Sequence, residues 1–101
     1  MDQIERIRLM EQLYDQASSA FTEVSNALDK YVEALDAFED LNIYLDGGEW
    51  QKDYAADEAG LLPSDLKRGV LSEDGLWNLL CENDELAIRM LETVKEMFKR
   101  R

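Results

Sequence analysis

DQIERIRLMEQLYDQASSAFTEVSNALDKYVEALDAFEDLNIYLD, residues 2–46, holds neither glycine nor proline. Its apolar side chains recur at Ile7, Met10, Tyr14, Ala17, Phe21, Val24, Leu28, Tyr31, Leu35 and Phe38, and Leu41 and Leu45 continue the row. Steps of three and four residues keep a side chain on one face of a 3.6-residue helix, so this alternation predicts one long helix over 2–46 with a coiled-coil-like seam. Asn42 alone breaks the register. Asp2 stands three residues before Glu5, the spacing of a capping box. Gly47-Gly48 supplies the left-handed residue at which such helices end.

A second long helix is expected over about 73–100. Ser72 is placed as its N-cap, and Glu73 and Asp74 suit the positive end of its dipole. Leu76, Leu80, Ala87, Met90, Val94 and Met97 form a stripe interrupted by Asn83, and Trp77, Leu79, Leu86, Leu91 and Phe98 widen it. A stripe of that width buries against more than one neighbour.

The connecting segment, about 47–71, holds the remaining chemistry. At about 1.5 Å per residue the two helices would measure roughly 68 and 42 Å, which leaves ~24 Å of the first seam uncovered in an antiparallel hairpin. Trp50 and Tyr54 lie four apart, so a short third helix is expected there, covering the overhang. Pro63 can open a turn through Asp65–Arg68, with Gly69 closing it. The fold class is therefore all-α: a single helical domain, an antiparallel hairpin with a short helix in its connection. Each long helix keeps a half-exposed stripe, which a homodimer forming a four-helix bundle would bury.

Composition narrows the function. The chain has 101 residues, 23 acids against 11 bases and a net charge of −12. Direct binding to a phosphate backbone needs a basic face, so nucleic-acid binding is not expected. Ten acids between Asp29 and Glu58 face only Lys30 and Lys52, whereas the last seven residues, KEMFKRR, carry four bases and one acid. The acidic band is either a solvated face or a docking surface for a basic partner. Cys81 is the only cysteine, in an apolar run, and reads as a small buried hydrophobe; with no signal peptide or spanning segment, the chain reads as cytoplasmic, off the membrane.

No histidine is present, which removes the commonest general base and the commonest transition-metal ligand. The five serines have no base to activate them and no phosphate-binding glycine loop occurs, so no catalytic residue, cofactor or metal is expected. Asp53, Asp57 and Glu58 share one side of the short helix, yet lack the spacing of a calcium loop. Lys67-Arg68, set in an acidic segment, either pairs with Asp57, Glu58 or Asp65, or projects to grip a partner's carboxylate or phosphate through the Arg68 fork. Trp50, Tyr54 and Trp77 read as a satellite core, but an exposed Trp77 would be a candidate hot spot.

The run Glu49 to Asp74, E-W-x-x-D-Y-x-x-D-E-A-G-x-L-P-x-D-L-K-R-G-V-L-S-E-D, resembles a family of small bacterial proteins catalogued only as a domain of unknown function. The likeness is dense over about 44–80 and looser over the first helix, including the IERI…ME opening. It implies a small all-helical bacterial protein and carries over no catalytic residue. Gly75 departs from what a helix start wants, since glycine there costs up to ~1 kcal/mol relative to alanine. The type VII secretion substrates of the WXG type are helical hairpins of similar length, but here the turn reads GGEW, and Tyr54-Ala-Ala-Asp-Glu58 lies far from the C-terminus.

These readings leave three classes. A non-enzymatic protein-interaction module leads. The alternative is an acidic decoy that mimics nucleic-acid phosphates to occupy a nuclease or DNA-binding protein. An enzyme with an unrecognised site is the third class, and the WXG-type secretion substrate is a lesser alternative.

Overall fold

The computed structural model describes all residues from Met1 to Arg101, and every regular element in it is helical. The elements are α1 (Gln3–Glu33), α2 (Leu35–Asp46), α3 (Glu49–Glu58), a 3₁₀ turn (Gly69–Leu71) and α4 (Gly75–Lys99). The chain divides into two compact units, Met1–Asp36 and Ala37–Arg101.

The first unit is essentially α1. Asp2 caps it as the sequence implies: its Oδ1 accepts from the Glu5 backbone N–H at 2.7 Å. The single helix expected over 2–46 is instead two, separated at Ala34, whose N–H bonds back to Tyr31 O at 3.0 Å. Tightening of the last turn into an i→i−3 bond ends α1 there. Alanine is the best helix former, so propensity does not account for the break. No residue of α1 is buried, and Phe21 and Val24 in the middle of its seam stand 72% and 66% exposed.

In the second unit the 3₁₀ turn packs against both α3 and α4. Leu71 of the turn and Leu76 and Leu80 of α4 are the buried hydrophobic residues of the chain. Leu76 and Leu80 are one helical turn apart, so they put one face of α4 against the turn, and full burial of each leucine contributes roughly 1.5–3 kcal/mol. Around them Leu41, Leu45, Trp50, Tyr54 and Leu62 are half-buried.

The segment between α3 and α4 departs from expectation in detail. The proline turn spans Pro63 to Leu66, closed by Leu66 N–H on Pro63 O at 3.2 Å, and does not run through Arg68. Gly69 opens the 3₁₀ turn and closes nothing before it. Helix α4 begins at Gly75, two residues later than expected. Ser72 still satisfies an orphan donor: its Oγ accepts from Gly75 N–H at 3.2 Å and donates to Gly69 O at 2.9 Å. This pair of hydrogen bonds through one hydroxyl explains Gly75. A Cβ at that position would collide with Ser72 Oγ, so glycine is what lets the hydroxyl sit beneath the helix start.

Two outcomes follow for stability. Leu71→Ala removes the buried side chain of the turn and lowers the unfolding free energy by about 2–4 kcal/mol, whereas Leu61→Ala, at an exposed site, changes it by less than about 0.5 kcal/mol in urea denaturation. Gly75→Ala destabilises the chain despite its better helix propensity of up to ~1 kcal/mol, and the loss shrinks in a Ser72→Ala background. A Gly75→Ala chain that is more stable than the parent would show that Ser72 simply rotates away.

Candidate partner-binding turn

Helix α3 is fixed at both ends by glycine. Gly48 adopts φ +93° before Glu49, a left-handed geometry that a Cβ strains. At the other end Gly60 is left-handed (φ +71°), its N–H bonds to Asp57 O at 3.0 Å and Leu61 N–H reaches Ala56 O at 3.0 Å. That pair of bonds is the Schellman closure. Its signature, a helix ending in Glu58-Ala59 followed by Gly60-Leu61, is legible in the sequence.

Side chains then tie α3 to its surroundings. Trp50 stacks on Tyr54 with ring centroids 5.0 Å apart, and its Nε1–H donates to Val70 O in the 3₁₀ turn at 2.9 Å. Gln51 Nε2 donates to Leu45 O at 3.2 Å, and Tyr44 Oη donates to Asp53 Oδ2 at 2.6 Å. The bond to Asp53 pushes the Tyr44 phenol up to about 12 from 10.0, with burial and the charges of Asp53 and Glu49 adding to it. The Tyr54 phenol is raised as well, first by the charge of Glu58.

Arg68 Nη1 meets Asp57 Oδ1 at 2.7 Å, with both side chains part-exposed. Of the three acids that stood near Lys67-Arg68 in the sequence, the fold selects Asp57; Glu58 and Asp65 remain exposed. The carboxylate cluster is thereby divided, Asp53 going to Tyr44 and Asp57 to Arg68, and no three acidic or thiol side chains converge as a metal site would need. Lys67 lies elsewhere. It lines a shallow, mostly apolar groove of about 450 Å³ with Leu41, Val70, Leu76 and Leu79.

Trp77 does not join Trp50 and Tyr54. Leu76 and Leu80 take the inner face of α4, and one residue along a helix turns the side chain by about 100°, which carries Trp77 outward. It is 60% exposed. Cys81 is half-buried. No helix of the structure is long and apolar enough to cross a membrane.

The alkaline titration of Tyr44 reports this network. Because its folded value lies above the ordinary one, the bond to Asp53 contributes fully below about pH 10 and is lost as the pH rises through about 12. Ultraviolet difference titration is expected to find one tyrosine ionising near the top of that window, and Asp53→Ala to move it back toward 10.0. A titration unchanged by Asp53→Ala would break the assignment.

Comparison with known proteins finds a family model described as "Domain of unknown function (DUF4298)" matching residues 7–93. No curated protein matches, and no solved structure does.

Proposed function

The chain belongs to the family of domains of unknown function DUF4298, and we propose that it works in the bacterial cytoplasm as a non-enzymatic helical module that binds another protein. The observation that carries this reading is the seam of α1. A heptad row of large apolar side chains on a 31-residue helix with no buried residue is costly to leave in water and asks for a cover. Asp29 and Glu33 stand at the C-terminal end of that helix, in a stretch of sequence from Asp29 to Glu58 whose ten acids favour a basic partner. The turn contributes through Lys67, which makes no ion pair and stands beside the apolar groove; Arg68 is held by Asp57 and serves the turn first.

Phe21→Asp separates the possible covers. With a protein partner, the isolated chain keeps its melting temperature while affinity for that partner falls at least about tenfold, in line with the loss of one buried aromatic anchor. If α1 is instead covered within its own chain, as in the antiparallel hairpin expected from the sequence, the same change lowers the melting temperature of the isolated protein. Arg68→Ala is expected to loosen the turn and leave binding nearly intact. The acidic-decoy reading shares the carboxylates but not the seam: its affinity collapses with added salt, while apolar docking through α1 keeps most of its strength.

A further inference from the structure

Helix α4 carries a second apolar row that the fold does not use. Of its first row only Leu76 and Leu80, at the start, are buried, while Met90, Val94 and Met97 farther along are exposed. The second runs through Trp77, Cys81, Asp84, Ile88, Leu91, Lys95 and Phe98, again in steps of four and three, so it follows one face for the length of the helix. Ile88, Leu91 and Phe98 are 58%, 73% and 62% exposed, alongside Trp77.

Charge along α4 is sorted by halves. The stretch Glu73–Glu85 holds Glu73, Asp74, Glu82, Asp84 and Glu85 and no base. From Leu86 onward come Arg89, Lys95, Lys99, Arg100 and Arg101 against Glu92 and Glu96. In a chain of net charge −12 this is the one extended basic region, and what complements it end to end is the acidic half of the same helix. Parallel pairing would set the acidic halves against one another, while antiparallel pairing sets acidic against basic twice over.

We infer that α4 pairs antiparallel with α4 of a second copy through this row, with Ile88 close to the twofold axis. In that register Trp77 lies opposite Phe98 of the second copy, and Asp84 stands within one turn of its Lys95. A self-complementary patch of this kind is what a twofold interface requires, since each half supplies what the other half needs. Trp77 and Phe98 supply the aromatic anchors, and Asp84 and Lys95, one polar pair within an apolar seam, hold the register against sliding. The pairing extends the interaction-module reading by naming one partner, a second copy. It uses a different helix face from the α1 seam, so Phe21→Asp and the α4 variants fail independently.

Cross-linking settles direction and partner together. In a Cys81→Ala background, Ile88→Cys is expected to form an intermolecular disulfide in oxidising buffer, because the two copies of residue 88 meet at the axis. Phe98→Cys is expected not to, because its counterparts lie about 20 residues apart along the pair, roughly 30 Å. Light scattering of the native chain at about 100 μM is expected to give the mass of a dimer, and Leu91→Asp the mass of a monomer with unchanged helicity, since mass action at that concentration reveals even a weak pairing. Raising the salt is expected to weaken the dimer several-fold through the charged halves. A monomer at that concentration, or a Phe98→Cys cross-link as efficient as that of Ile88→Cys, overturns the inference. So does an Ile88→Cys chain that does not cross-link, which would mean that another surface covers this row. Should Leu91→Asp unfold the chain, the two cysteine variants still decide.

Discussion

The second unit turns on a three-residue 3₁₀ turn, and within it on Leu71 and the Val70 carbonyl. Leu71 is buried where the turn meets α4, and the carbonyl one residue earlier accepts the Trp50 indole from α3. One short segment therefore presents an apolar side chain to one helix and a polar backbone group to the other. A hydrogen bond of this kind is worth about 0.5–1.5 kcal/mol net. The remaining contacts gather around that point. Arg68 is held by Asp57 just before the turn, and Ser72 bonds to Gly69 and Gly75 just after it.

That arrangement gives the motif-dense middle of the chain a structural reason. Glu49 to Asp74 concentrates tryptophan, glycine, proline and paired charges because it must turn the chain between α3 and α4 in few residues while satisfying its own backbone. Most of its polar groups have local tasks. Asp53 holds Tyr44, Asp57 holds Arg68, and Ser72 holds the start of α4. Lys67 and Trp77 have none, and both stand at the surface, where they and the exposed helix faces are free to meet another molecule.

Helices were legible in the sequence wherever spacing was enough. The 3-4 rows of α1 and α4, the Asp2 cap and the glycine pair at the end of α2 each depend on residues within a turn of one another, and each appears in the fold. Contacts across longer separations were not legible. Trp50 and Val70 are 20 positions apart, and nothing in either residue type names the other. The two-residue delay in α4 belongs to the same class, because Ser72 bonds back to Gly69, and that carbonyl is presented only once the 3₁₀ turn has formed. For the candidate site, the choice among Asp57, Glu58 and Asp65 was open in the sequence because all three lie within reach of Arg68. In the fold Arg68 pairs with Asp57.

The outward turn of Trp77 bears most directly on function. Spacing placed it on a broad apolar stripe, and a broad stripe is ambiguous: it describes a helix buried on two sides as well as one buried on a single side with a second face left for another molecule. Leu76 and Leu80 resolve the ambiguity at the start of α4, since a small unit with three buried leucines has only enough core to cover one face. The second row is then surplus to the unit's own folding. Surplus large apolar residues at regular spacing, with charge sorted by halves along the same helix, are costly to a chain that must remain dispersed. They have a physical rationale when another helix is brought against them, and the helix whose charges match in reverse order is α4 itself.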